Sequence, residues 1–124
     1  MRDNGDTAQI GNPSGGGYST VGDMLAFTVA LTGHQLLPAA LTDTVLAGKV
    51  AASGPGRPPG DKYAYGFDDR TVDGVRIVGH NGGSPGYEGQ LDIYPGTGYV
   101  VVMLTNQDQV LVPAIQRSER LITG

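Results

Sequence analysis

From Tyr99 to Thr105 the chain reads Tyr-Val-Val-Val-Met-Leu-Thr, seven residues with no charge, no proline and no glycine. Valines in succession favour extended backbone, and a strand that is apolar at every position, not at every second one, must be covered on both faces. Such a strand belongs in the middle of a sheet packed between layers, so the rest of the chain has to supply both strands and covering helices. The 124 residues are enough for one hydrophobic core, and marginal for it if they were cut from something larger.

The flanking sequence divides by period. Residues 1–19 contain many Gly, Asn, Asp and Ser and read as an irregular lead-in, ending in the Gly15-Gly16-Gly17 turn. Thr20 with Asp23 three positions on is a capping-box-like helix start, and Val21, Met24, Leu25, Thr28 and Leu31 fall on one helical face before Gly33 stops it. Pro38 opens a second, shorter helix whose face is Leu37, Leu41 and Val45, closed by Gly48. Lys49 to Asp61, with three Gly and three Pro, reads as a loop. From Tyr63 the period becomes two. Tyr63, Tyr65 and Phe67 alternate with small residues, and Asp73-Gly74 signals a hairpin into Val75 to Val78. Gly79 to Gly86 is a glycine-rich segment. A third strand, Tyr87 to Tyr94, puts Leu91 and Ile93 on one face and Asp92 and Tyr94 on the other, and Tyr99 to Thr105 is the fourth. Val110, Ala114, Arg117 or Ser118 and Leu121 then recur at helical spacing, so a C-terminal helix is expected on the sheet despite Pro113. The fold class is α+β, an antiparallel sheet of about four strands packed by helices over residues 20–124.

Composition narrows the function. The 21 glycines go with a turn-rich globular chain, and 8 basic against 12 acidic residues without a basic cluster argue against a nucleic-acid partner. With no cysteine there is no disulfide, thiol nucleophile or zinc-thiolate site; no cofactor or metal is expected. Asp69 to Gly74 starts like a calcium loop, but its twelfth position is His80 and not a carboxylate, so it reads as a hairpin turn. No apolar run is long enough to span a bilayer, and Met1 to Pro13 lacks the apolar stretch of a signal peptide.

The densest cluster of chemistry-bearing residues is Gly79-His80-Asn81-Gly82-Gly83-Ser84-Pro85-Gly86-Tyr87. Asn81-Gly82 is a common turn dipeptide, and a lone histidine beside it is ordinarily a surface residue. His80-Asn81-Gly82, however, is followed by a short Gly/Pro turn, an aromatic, an alternating strand ending in Pro95, and an apolar strand into Thr105-Asn106. This order resembles the third signature of serine β-lactamases, DD-peptidases and their esterase relatives, in the His-x-Gly form of a class C-like branch. Pro13 to Phe27 is similar to the PxGGxYST stretch and helix of the same branch. The resemblance implies an incomplete β-lactamase/transpeptidase-like domain. It implies that His80 faces a substrate carboxylate or helps move a proton, that Gly83 N–H is one donor of the oxyanion hole, and that Asn81, Gly82 and Ser84 border the substrate. Relatives of this kind are often periplasmic or secreted; the sequence itself assigns no location.

The catalytic set is incomplete. The family's nucleophile lies in SxxK, and Ser14, Ser19, Ser53, Ser84 and Ser118 are followed at the third position by Gly17, Gly22, Gly56, Tyr87 and Leu121. No Tyr-x-Asn is present; Tyr18-Ser19-Thr20 fits the GGxYST stretch better. The resemblance therefore implies a C-terminal portion of a hydrolase of β-lactams, D-amino peptides or esters that is inactive alone. The rival reading is a non-catalytic module that binds partners or assembles with itself. The resemblance also implies N-terminal strands that pair with residues 99–105 and are not in this chain, which turns that strand into an edge and predicts a homo-oligomer formed through it.

Overall fold

The structure, a computed structural model, describes residues 11, 13–54 and 57–124; the first ten residues of the expected lead-in lie outside them. Helices α1 (Val21–Thr32) and α2 (Ala39–Leu46) come first, then strands β1 (Val50–Ala51), β2 (Lys62–Tyr63), β3 (Asp68–Val72), β4 (Val75–Ser84), β5 (Tyr87–Tyr94) and β6 (Tyr99–Thr105), and last α3 (Leu111–Thr123). The strands form one antiparallel meander in the order β1-β2-β3-β4-β5-β6. There are six strands, not about four, because Val50–Ala51, inside the expected loop, pairs with Lys62–Tyr63, and the strand read from Tyr63 divides into β2 and β3, with Lys62 paired to Asp69.

Local chemistry sets the turns. Thr20 Oγ1 accepts the Asp23 N–H at 3.1 Å and donates to Asp23 Oδ2 at 2.9 Å, the shorter acid closing the cap through the hydroxyl. Asp73 (φ 50) and Gly74 (φ 80) both take left-handed backbone, the two-residue turn whose twist matches a hairpin, and Val72 pairs with Val75 across it. Before Asp68, Gly66 (φ 82) and the Ala64 N–H to Phe67 carbonyl bond of 2.7 Å curl the chain back, so Ala64 to Phe67 is a turn between β2 and β3 and the run from Tyr63 to Phe67 is not one strand.

The sheet is the middle layer of three. Val78 is fully buried against Leu31 of α1 and Leu46 of α2, with Leu37 and Phe67 packed around them. Ile93 stands opposite Val78, so Leu91 and Ile93 share that face. Asp92 and Tyr94 point the other way, where Arg70 bonds both Asp92 and Glu119 of α3. Both outer helices turn about one residue away from the stripe read in sequence. In α2 the buried positions are Thr42 and Leu46 while Leu41 is exposed. In α3 Leu111 is buried and Ile115 and Ile122 are half-buried, while Val110, Ala114 and Leu121 are exposed. In both helices adjacent residues offer equally good helical spacing, and the partner, not the period, decides which stripe is used. β6 is an edge strand, as expected for this chain; among the described residues its seven residues pair with β5 alone, Tyr94 to Tyr99 through Glu88 to Thr105.

Candidate functional site

β4 has two halves. Val75 to Gly79 is paired on both sides, with β3 and with β5. His80 to Ser84 is paired with β5 only, because β3 begins at Asp68, opposite Gly79, and the chain before it curls away. The segment read as a glycine-rich connection is therefore strand as far as Ser84, and Asn81-Gly82 lies within the β4-β5 ladder and not in a turn. The turn is Pro85-Gly86, with Gly86 at φ 91 and its N–H donating to Asp108 Oδ1 at 2.7 Å. The result is a strand edge with open main-chain groups, exposed from His80 through Ser84.

Glycine allows this edge to exist. A β-carbon on Gly79 would lie 1.9 Å from the Leu91 carbonyl oxygen, so β4 and β5 can approach there only without a side chain. Gly82 faces open space, whereas a β-carbon on Gly83 would meet the Tyr87 carbonyl oxygen at 3.0 Å. Strand alternation divides the expected residues. His80, Gly82 and Ser84 belong to the α1/α2 face, and Asn81 and Gly83 to the α3 face. All five meet only along the shared edge.

Two groups that sequence reading did not place complete the surroundings. Tyr63, read in sequence only as part of an alternating strand, sets its hydroxyl 3.0 Å from His80 Nε2, with the two rings edge-on at 5.8 Å between centroids. The second is a cleft of about 600 Å³ on the α3 side, between Asn81–Pro85 and the first turns of α3 at Leu111, Val112 and Ile115. Glu88 forms its floor. Its carboxylate accepts the Gln109 N–H at 3.1 Å and the Leu111 N–H at 3.3 Å, anchoring the start of α3, where a negative charge is favoured. No signal in the sequence links residues 17 to 23 positions apart in this way.

Beneath the site lies a buried polar cluster. Arg70 donates to Asp92 Oδ1 at 3.0 Å and to Glu119, and Gln90 Nε2 donates to the same Asp92 oxygen at 2.8 Å. Asp92 is 1% exposed and its Oδ2 has no hydrogen-bond partner among the described residues. Burial pushes its carboxyl above the ordinary value of 3.8 despite Arg70. Burial, with the charge of Asp92, pushes the Tyr94 hydroxyl up to about 12. On the other face burial is outweighed. The hydrogen bonds from Arg76 and from the Gly48 N–H hold Asp69 below 3.8. Among the described residues no group of three or more His, Asp or Glu is placed to hold a metal ion, and no helix is long and apolar enough to cross a membrane.

An antiparallel sheet between a helix pair and a C-terminal helix, with a histidine and three glycines on one strand, is the architecture of a penicillin-binding-protein-like domain. A beta-lactamase family model matches residues 1–122, and the chain belongs to the beta-lactamase family. Among solved structures it is similar to a penicillin binding protein from Bacillus halodurans, at 27% identity and a TM-score of 0.71 over 82% of this chain and 30% of that one. An octameric penicillin-binding protein homologue from Pyrococcus abyssi, at 19% identity, shares the fold with a TM-score of 0.72 over 84% of this chain and 24% of its own. The chain thus spans less than a third of either structure. No curated protein matches it.

Proposed function

We propose that this chain is the sheet-side wall of a serine acyl hydrolase site, acting by acyl-enzyme formation and hydrolysis on a β-lactam, a D-amino peptide or an ester. The observation that carries the reading is the open edge of β4 from His80 to Ser84, a length of strand along which a substrate backbone can lie as an added strand. His80, held by the Tyr63 hydroxyl, orients a substrate carboxylate or relays a proton. The Gly83 N–H supplies one oxyanion donor, and the nucleophile's own N–H supplies the other. Asn81, Gly82 and Ser84 border the acyl and leaving groups. A serine hydroxyl needs an adjacent base, and neither SxxK nor Tyr-x-Asn occurs in these residues, so the nucleophile comes from elsewhere in a longer protein and the chain alone does not turn over.

The test is hydrolysis of a chromogenic cephalosporin and of a short-chain nitrophenyl ester by the purified chain. The expected rate is that of buffer. Turnover that survives further purification and disappears on His80→Ala overturns the inactivity. In a longer protein carrying SxxK, His80→Ala should slow acylation with little change in stability, a loss of about 1.5 to 3 kcal/mol of transition-state stabilisation.

A further inference from the structure

We infer that Glu88 and Asp108 are positioning residues for the oxyanion donor: they lock the turn at the end of β4 to the entry of α3 and thereby fix where the Gly83 main chain stands. Glu88 is opposite Gly83 in the β4-β5 ladder and opposite Thr105 in the β5-β6 ladder, so the three form one cross-strand row on the α3 face. A β-carbon on Gly83 would meet Glu88 Cγ at 3.3 Å, which puts the glutamate stem directly against the glycine. From there the Glu88 carboxylate takes the Gln109 and Leu111 N–H groups, while in the other direction Asp108 Oδ1 takes the Gly86 N–H at 2.7 Å. Each segment thus gives a carboxylate to the other's main chain, and Thr105, the last member of the row, accepts the Gln107 N–H at 3.0 Å. Two details show that the loop is held. Gln109 is in the left-handed region (φ 64), which a residue with a side chain occupies only where its surroundings impose it, and its N–H is one of the two on Glu88. Leu111, the other, is buried, so the lock runs from Gly83 through Glu88 into the packed start of α3. An oxyanion donor must be placed to within about 0.5 Å, and a strand edge made of glycines has no side chains of its own to set that placement. The role given to Gly83 rests on the hydrolase reading; the reciprocal lock does not.

These bonds lie at or near the surface, where a hydrogen bond adds little to global stability, so their loss should show as local disorder and not as unfolding. Amide resonances and solvent-exchange rates of the purified chain read this directly. Glu88→Ala should move the Gly83 resonance and speed exchange about tenfold or more at Gln109 and Leu111, and also at Gly86, whose own acceptor is untouched. Asp108→Ala should do the same at Gly86 and, in return, at Gln109. Glu88→Gln and Asp108→Asn, which keep an acceptor oxygen, should restore most of the protection, and all four variants should melt within about 5 °C of the unmodified chain. Each substitution freeing only its own partners, a Gly83 resonance that neither alanine moves, or melting that falls in step with the lost protection overturns the proposal. In a longer protein with SxxK, the alanine variants should lower kcat about tenfold with KM nearly unchanged, since an oxyanion donor acts in the transition state. A raised KM with kcat intact overturns the positioning role, whereas hydrolysis absent from the unsubstituted longer protein too counts against the hydrolase reading and not against the lock.

Discussion

Two of the strand edges that lack a neighbour among the described residues, those of β4 and β6, are made of opposite materials. Along β4 the open stretch is His80-Asn81-Gly82-Gly83-Ser84, polar, nearly free of side-chain bulk and set beside a cleft. Along β6 it is six apolar or aromatic residues followed by a threonine. Both offer the same main-chain donors and acceptors, so hydrogen bonding cannot tell their partners apart. What differs is the desolvation. Apolar side chains reward a partner that stays and covers them, as a second strand does, while a glycine edge gains little from being covered and can release what it binds. A substrate that must leave as product belongs on the second kind of edge.

The contrast is tested most severely within β4. Gly79→Ala would drive a methyl group into the Leu91 carbonyl and should cost roughly 3 kcal/mol or more, or prevent folding. Gly82→Ala, three residues along the same strand, faces open space and should stay within about 1 kcal/mol of the parent in urea unfolding. Comparable losses at the two sites would mean that the upper half of β4 is not open. The next pair exchanges the properties of the two edges. Gly82→Val should weaken acylation in a longer active protein by about tenfold, the equivalent of about 1.4 kcal/mol, without altering the mass of the isolated chain. Leu104→Lys should do the reverse, weakening self-association with thermal stability nearly unchanged, since this side chain is already 49% exposed. One variant that disturbed both readouts would join the edges into a single site.

Tyr63→Phe is a finer probe of the β4 edge. It removes one hydrogen bond to His80 and should slow acylation by a few-fold, about 1 kcal/mol, less than His80→Ala does. Loss of folding in place of rate would return Tyr63 to a packing role. The smallest effect concerns a support shared by both edges, for Asp92 stands in one cross-strand row between Gly79 of β4 and Val101 of β6. Its raised pKa means that the native state holds this proton more tightly than the unfolded chain. Its contribution to stability therefore falls as pH rises from 3.8 through the folded value. Asp69 has the opposite sign; its contribution is present above 3.8 and lost as pH falls through its lowered folded value. Urea titrations across the acid range should show Asp92→Asn and Asp69→Asn shifting the acid limb in opposite directions. A shift of the same sign in both would contradict the assignment.

Features written in neighbouring residues were legible in the sequence. The Thr20-Asp23 cap, the Asp73-Gly74 hairpin, the bounds of the strands over 87–94 and 99–105, and the opposite faces of Leu91 and Asp92 each depend on residues a few positions apart. What failed depends on partners. Leu41 looked like a packing residue, but Thr42 and Leu46 are the buried positions of α2, and β1 and β2 exist because Val50 finds Tyr63 thirteen residues on and Lys62 finds Asp69. The site split along the same line. His80 and its glycines stood out as a cluster, but the Tyr63 hydroxyl and the Glu88 anchor of α3 are contacts across the fold. Residues 99–105 stand where the resemblance put them, at an edge of the sheet, and among the described residues they pair with β5.

Arg70 also sets an order of assembly. The four strands from Asp68 to Thr105 are consecutive hairpins, and contacts so close along the chain form early. Glu119 reaches Arg70 from 49 positions away and cannot do so until it has itself been synthesised. Until then one whole side of the nascent sheet, Asp92 included, is bare to solvent and to whatever holdase waits at the ribosome. A stalled nascent chain exposed to protease should therefore stay labile until Glu119 has left the exit tunnel, and become resistant within the few residues that follow.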